Sequence, residues 1–161
     1  MKKIIITMIT MMAFITVAMA QDTAKDASSE KTKSKSAQEY ISDLSSGDEK
    51  TVLDAAEWLG NEKEKAAIPA LAKILKDDSR VKVRANAAVA LGLIGDESSV
   101  DALNESLLND SNADVRYSAI LAISRIGSPK SYDALKTAKE KETDPYVKDY
   151  IEKMEARFKK K

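Results

Sequence analysis

Three short segments contain residue types that occur in reactive or ligand-binding sites. Asp110-x-Asn112-x-Asp114 begins like a calcium-binding loop, in which alternate side-chain oxygens bind a hard cation. The pattern then fails, because Val115 stands at the glycine position and Leu121 at the position of the bidentate glutamate. We therefore interpret the segment as a turn that leads into a helix N-cap.

The other two segments are Ser-x-x-Lys patterns, from Ser28 to Lys31 and from Ser79 to Lys82. This spacing matches a serine nucleophile with a lysine base. The Ser-x-x-Lys pattern fixes only two of four positions, so it recurs by chance in a chain that is rich in serine and lysine. One copy falls in a polar N-terminal segment and the other in a turn, so neither predicts a catalytic site.

The composition excludes several further kinds of chemistry. The 161 residues include no histidine and no cysteine, which excludes Ser/His/Asp triads, thiol catalysis, zinc fingers and iron–sulfur clusters. Aromatic residues make up 5% of the chain, too few for a platform that stacks bases or sugars. Carboxylates are numerous, but they fall at turns and on outer helix faces. The sequence predicts no catalytic residue, no cofactor and no metal, and hence a protein that is not an enzyme.

The first twenty residues have the pattern of a bacterial secretory signal. Lys2 and Lys3 precede an uncharged, mostly apolar stretch from Ile4 to Val17, and Ala18-Met19-Ala20 fits the small-residue cleavage site. We predict cleavage after Ala20 and a periplasmic or secreted protein, with an uncleaved anchor as the alternative. Residues 21–36 contain no valine, leucine, isoleucine or aromatic residue, so we interpret them as a disordered linker.

The charge of the mature chain bears on its partners. The whole chain has 26 basic and 26 acidic residues, so removal of Lys2 and Lys3 leaves a net charge of −2. Nucleic-acid binding needs a net basic face, and we therefore expect no nucleic-acid partner. We also expect no membrane span in the mature chain, which we predict to be a monomer.

From about Thr51 onward the sequence repeats with a strict period of 32 residues, which is typical of a stacked solenoid. Each unit has two helical patterns joined by a polar turn, and Gly95 and Gly127 are placed to end the second helix. The sequence predicts an all-α solenoid of about four antiparallel helix pairs over residues 37–161. The aligned positions include Leu71, Leu103 and Leu135, then Val83, Val115 and Val147, then Leu59, Leu91 and Ile123.

The unit that runs from Pro69-x-Leu71 through Val83-Arg84 to Ala90-Leu91-Gly92 resembles a HEAT repeat. It is similar to the short HEAT-like variety first associated with phycobilisome bilin lyases. In similar repeats, an acidic and a basic residue six positions apart bridge within and between units. The resemblance therefore implies a structural ladder, formed by Asp78, Arg84, Asp110, Arg116, Glu142 and Lys148.

The resemblance also bears on activity. Deoxyhypusine hydroxylases of this family hold iron with His-Glu pairs, which a chain without histidine cannot supply. The bilin lyases act inside photosynthetic cells, which does not fit an exported chain. The resemblance implies a scaffold fold that serves many tasks, and the fold alone names none of them.

In a HEAT-like stack the second helices of the pairs line the concave side. The stripe opposite their buried side runs through positions 82, 86, 89 and 93 and the positions 32 and 64 residues later. Tyrosine and arginine are enriched at binding hot spots, although a solvated helix face is the alternative interpretation. We predict these partner-binding residues: Val89, Leu93, Leu121, Arg125, Tyr146, Tyr150, Lys153 and Arg157. Trp58, in contrast, is predicted to fill the N-terminal cap with Tyr40 and Leu44.

These observations together predict an exported, non-enzymatic scaffold or adaptor that binds another protein through its concave face. One alternative is a subunit of a larger envelope assembly. Another is a small hydrolase that uses carboxylates only, which would need a deep pocket with a carboxylate of raised pKa. The sequence does not identify the protein partner.

Overall fold

The computed structural model describes residues 35–158, and all regular structure in that range is helical. The predicted signal sequence and most of the predicted linker lie outside the described residues. The helices pack as four successive pairs, so the predicted all-α solenoid is confirmed. The pairs are α1 (Ala37–Asp43) with α2 (Glu49–Asn61), α3 (Ile68–Asp77) with α4 (Val81–Ile94), α5 (Val100–Asn109) with α6 (Ala113–Ile126), and α7 (Tyr132–Lys141) with α8 (Pro145–Phe158).

The 32-residue period holds at the level of helix boundaries. The first helices α3, α5 and α7 begin at residues 68, 100 and 132, and the second helices α4, α6 and α8 begin at 81, 113 and 145. A short 3-10 turn precedes each of α3, α5 and α7. The side chains of Glu64, Asp96 and Ser128 accept the backbone amide two residues later in these turns. Equivalent polar residues therefore start each repeat in the same way.

A left-handed residue follows three of the second helices, α2, α4 and α6. Gly95 and Gly127 close α4 and α6 with φ of 72° and 70°, as the sequence predicts. Lys63 stands 32 residues before Gly95 and adopts the same region, with φ of 55°. A lysine Cβ is strained in this conformation, whereas glycine adopts it freely.

Replacing Lys63 with glycine is therefore expected to raise the free energy of unfolding by about 0.5 kcal/mol. The gain is modest because glycine also increases the entropy of the unfolded chain. Urea unfolding monitored by circular dichroism measures it. The neighbouring Glu62 has φ of −76°, so Glu62→Gly is the matched control and should lower stability. A loss of stability in Lys63→Gly would contradict the repeat-based explanation.

The core runs through the whole stack, and equivalent apolar side chains are buried in three of the helix pairs. Within each pair, apolar side chains of the first helix face those of the second helix. Each pair also stacks on the one before it and buries the apolar side chains that the earlier pair would leave exposed. At the N-terminal end, Trp58 stacks on Tyr40 with 4.1 Å between ring centroids, and Leu44 is buried beside them. The predicted cap packing is confirmed. The buried equivalents include Leu59, Leu91 and Ile123, then Leu71, Leu103 and Leu135, then Val83, Val115 and Val147.

The second helices approach each other more closely than the first helices do. A Cβ built on Gly92 of α4 would lie 2.7 Å from the Cα of Ala122 in α6, and one on Gly60 of α2 would lie 3.0 Å from the Cα of Ala90. Clefts of about 460 and 220 Å³ separate α3 from α5 and α5 from α7. The stack therefore bends toward α2, α4 and α6, which together with the last second helix, α8, form its concave face. Within residues 35–158, no helix is long and apolar enough to cross a membrane.

Candidate protein-binding face

The concave face carries an open groove of about 740 Å³ that spans three repeats. Leu53 and Glu57 line it from α2, Val89 lines it from α4 and Ser118 lines it from α6. The period extends this surface along the stack, because Leu121 occupies the register position of Glu57 and Val89. In the same way, Tyr117 follows Leu53 and Ala85, and Tyr146 follows Lys82.

Large apolar side chains are exposed mainly on this face. Among residues 35–158, five such side chains are exposed, and each shares its position in the repeat with a residue that lines the groove. Val81, at the start of α4, shares the position of Glu49, and the other four form the candidate surface. The exposed part of an apolar side chain gains by burial against another surface. The four are Val89 (43% exposed), Tyr117 (37%), Leu121 (37%) and Tyr146 (83%).

The structure divides the predicted partner-binding residues into two groups. Leu93 is half-buried, and its Cδ1 lies against Gly60 of the preceding repeat, so it packs between α2 and α4. Tyr150 is also half-buried and meets Tyr117 edge-on, with 5.4 Å between ring centroids. The other predicted residues are exposed: Val89, Leu121, Arg125, Tyr146, Lys153 and Arg157.

The sequence reasoning missed Tyr117. It followed a single stripe of the second helices and left out the adjacent register position, occupied by Leu53, Ala85 and Tyr117. Leu53 and Ala85 line the groove. An apolar residue in three successive repeats at a position beside the stripe was the available signal.

Basic side chains collect at the C-terminal end of the face. Lys153 pairs with Asp149 at 2.5 Å, and this hydrogen bond raises the pKa of the lysine. Arg157 reaches Ser124 across to α6, with 3.5 Å from Nη1 to Oγ. Within residues 35–158, neither Arg125 nor Arg157 forms an ion pair. Their charges are therefore open to a partner.

The turns that join the first and second helices of neighbouring repeats hold a chain of buried ion pairs. Arg84 donates Nε and Nη2 to the Asp110 carboxylate, at 2.8 and 3.0 Å, and Nη1 to the Asp78 carbonyl at 2.8 Å. Arg116 repeats the arrangement with the Glu142 carboxylate, at 2.7 Å for both bonds, and with the Asp110 carbonyl at 3.0 Å. Each arginine thus connects the turn of its own repeat to the turn of the next.

Two members of the predicted ladder behave differently. The Asp78 carboxylate pairs with Arg80 at 2.7 Å, and Arg84 reaches only the Asp78 carbonyl. Lys148 is exposed and forms no ion pair within residues 35–158, so the expected Glu142–Lys148 contact is a wrong prediction. The reason is that Arg116 and the backbone amides of residues 143 and 144 already occupy the Glu142 carboxylate.

The segment with the calcium-loop spacing belongs to one of these turns. Asp110 Oδ1 accepts the Asn112 amide at 2.9 Å, and Asn112 Oδ1 accepts the Asp114 amide at 2.8 Å at the start of α6. The side chains of Asp110 and Asn112 therefore act as turn and cap acceptors.

The ladder holds its carboxylates in the charged form. Burial alone would raise the pKa of Asp110, but hydrogen bonds from Arg84 and the Asn112 amide outweigh it and hold that pKa below its ordinary value. The hydrogen bonds from Arg116 likewise hold the pKa of Glu142 below its ordinary value. A carboxylate whose pKa is lower in the folded state stabilises the fold above its unfolded pKa.

The fold is therefore expected to lose stability as the pH falls below about 5, through the unfolded and then the folded pKa values of these groups. Urea unfolding at several values between pH 7 and pH 3 measures this slope. In Arg116→Met the slope should be shallower, because the pKa of Glu142 is no longer lowered by Arg116. Lys76→Met removes the exposed pair with Glu105 and serves as the control, with a slope close to wild type. An unchanged slope in Arg116→Met would contradict the assignment.

Residues 38–122 and 68–154 match the sequence model of HEAT repeats. The chain belongs to the HEAT-repeat family. Among solved structures, this HEAT-repeat chain is similar to the complex of CpcE and CpcF of phycocyanin lyase from Nostoc sp. PCC7120. The two are 28% identical with a TM-score of 0.58, over 69% of this chain and 44% of that chain. The matched region thus spans less than half of that structure's chain. A comparison with curated proteins finds no match.

This comparison confirms the resemblance found in the repeat unit and corrects another prediction. The sequence analysis predicted a protein that is not an enzyme, whereas the similar HEAT-repeat structure is that of a lyase, which is an enzyme. The absence of histidine and cysteine excludes particular mechanisms only. It does not separate this HEAT-repeat chain from enzymes that work without those residues.

Proposed function

We propose that this HEAT-repeat chain binds a protein partner through the concave face formed by α2, α4, α6 and α8. The observation that carries the proposal is the placement of four exposed large apolar side chains on that one face. Further support comes from the similar solved structure, which is a complex of two different subunits.

The proposed mechanism is the presentation of a rigid surface. The side chains of the face stand on helices whose backbones are in contact at Gly60 and Gly92 and whose turns are connected by Arg84 and Arg116. Little of the face has to become ordered when a partner docks, so more of the contact energy is kept as affinity. We further propose, from the signal pattern in residues 1–20, that the chain acts outside the cytoplasm.

Capture from a crosslinked envelope fraction of the source cell tests the proposal. The tagged chain is expected to recover a stoichiometric protein partner. The recovered tagged chain should itself begin at Gln21, which is the result expected if the signal is cleaved after Ala20. Val89→Asp combined with Leu121→Asp should reduce that recovery at least tenfold, because it places two charges in the surface that the partner would desolvate. Both side chains are exposed, so the melting temperature should change little.

The control places one added negative charge on α5, a first helix that does not belong to the concave face. Asn109 is exposed at the end of α5, and Asn109→Asp should leave the recovery unchanged. Equal recovery by the concave-face variant and wild type would refute the assignment of the binding face. Recovery of no partner by the wild-type chain would count against the proposed function itself.

A further inference from the structure

The charge on the concave face changes sign along the stack. Glu49, Asp54 and Glu57 are exposed on α2 and line the groove at its N-terminal end. Arg125, Lys153 and Arg157 are exposed on α6 and α8 at the other end. We call these sets the acidic end and the basic end of the face.

Part of this charge is already neutralised within the chain, and part of it is not. Lys50 pairs with Asp54, and Asp149 pairs with Lys153. Within residues 35–158, Glu57, Arg125 and Arg157 have no ion-pair partner. Lys82 lines the same groove from α4 and also has no ion-pair partner within residues 35–158, but Glu49 and Glu57 outnumber it. The N-terminal end therefore keeps an acidic excess and the other end a basic excess. A partner that crosses the face meets the two signs in a fixed order.

Three of the four exposed apolar side chains of the face lie between α2 and α8, and the fourth, Tyr146, is on α8 itself. Val89 is on α4, and Tyr117 and Leu121 are on α6, so this apolar strip lies in the repeats between α2 and α8. Burial of such a strip provides affinity, whereas exposed charges around it mainly set orientation and association rate. The arrangement is that of an interface with an apolar centre and charged margins.

We propose that the partner presents to this face a segment that is basic at one end, apolar at its centre and acidic at the other. The basic end lies over α2 and the acidic end over α8. The inference rests on the proposed function, because it describes the segment that the proposed binding face would hold. Neighbouring helices pack about 9 Å apart, so the face from α2 to α8 is about 27 Å long. An amphipathic helix of about 18 residues would cover it.

A selection with random 18-residue peptides, displayed on phage, tests the inference without knowledge of the natural partner. The immobilised chain selects the binders. A second round removes those that also bind Val89→Asp/Leu121→Asp, so that only peptides dependent on the apolar strip remain. These peptides are expected to carry basic residues in one half and acidic residues in the other, on either side of an apolar centre.

Charge reversal then tests the orientation of the bound peptide, with its basic half over α2. Asp54→Lys combined with Glu57→Lys should weaken binding of a selected peptide about three- to tenfold at low salt, and less at 0.5 M salt. The control reverses two exposed charges on the outer helix α5, with Asp101→Lys and Glu105→Lys, and should leave binding unchanged. The chain has no cysteine, so a spin label on Asn61→Cys at the end of α2 is unique. It should broaden the NMR signals of the basic half of the peptide.

The outcomes separate the two proposals. Strip-dependent peptides without an ordered charge pattern, or with unchanged binding to the Asp54/Glu57 reversal, would overturn this inference and leave the binding face intact. Broadening of the acidic half by the label would also overturn it. If no peptide depends on the apolar strip, the proposed function fails and this inference fails with it.

Discussion

Replacing Gly92 with alanine is expected to lower the free energy of unfolding by about 2 kcal/mol. The added Cβ would lie 2.7 Å from the Cα and 2.8 Å from the Cβ of Ala122, both closer than carbon atoms pack. The obstacle is the backbone of α6 and its attached methyl group, so no side-chain rotation relieves it, and α4 and α6 must move apart. Alanine is worth about 1 kcal/mol over glycine inside a helix, which offsets only part of this cost.

The other glycines provide a graded control series. A Cβ on Gly60 would lie 3.0 Å from the Cα of Ala90, so Gly60→Ala should cost less than Gly92→Ala. Gly47 has nothing within 4 Å, and Gly47→Ala should leave stability near wild type. Urea unfolding of the three variants gives the order. A Gly92→Ala variant as stable as wild type would show that the two helices do not need this contact distance.

The period made the architecture predictable, because it repeats the whole helix pair and fixes every boundary from one copy. The period also fixes one feature of α2 that its residue types do not indicate. Lys63 aligns with Gly95 and Gly127, so a left-handed residue at the end of α2 follows from the alignment alone. The residue type alone does not indicate this conformation, because lysine, unlike glycine, rarely adopts a positive φ.

The binding face was only partly predictable, because a helical stripe does not give the distances between neighbouring helices. Leu93 and Tyr150 belong to the predicted stripe, yet both are half-buried against other repeats. Leu93 packs against α2 because Gly60 has no side chain there. Tyr150 is partly buried because it packs against the ring of Tyr117. Such contacts depend on which residues the adjacent repeat places within reach, whereas a periodic pattern treats equivalent positions as alike.

The ladder shows the same limit for charged residues. A spacing of six between acid and base is common to three repeats, but the guanidinium groups use it to reach a backbone carbonyl and not the carboxylate of their own repeat. Their carboxylate partners lie 26 residues ahead. Lys148 has the predicted spacing without the planar donor group, and it forms neither contact within residues 35–158.

Breaking the second ladder contact with Arg116→Met is expected to cost about 3 kcal/mol of unfolding free energy. The Glu142 side chain is 3% exposed, and without Arg116 its carboxylate keeps only the amides of residues 143 and 144 as donors. An uncompensated buried charge is more costly than the loss of a surface pair. Lys76→Met breaks the exposed contact with Glu105 and should cost less than 1 kcal/mol.

A double variant separates the buried charge from the lost packing. Arg116→Met with Glu142→Gln keeps an oxygen that accepts the turn amides but removes the charge, so part of the lost stability should return. Equal stability of Arg116→Met and Lys76→Met in urea unfolding would show that the ladder contributes no more than a surface pair.

The two arginines should also depend on each other, because they share Asp110. Arg84 binds its carboxylate and Arg116 binds its carbonyl, so each fixes the position that the other uses. Loss of one arginine loosens Asp110 and weakens the remaining contact. Combining Arg84→Met with Arg116→Met should therefore cost at least about 0.5 kcal/mol less than the sum of the single losses. Simple additivity in the double-mutant cycle would mean that each contact holds its two turns independently and that the ladder is not a connected structure.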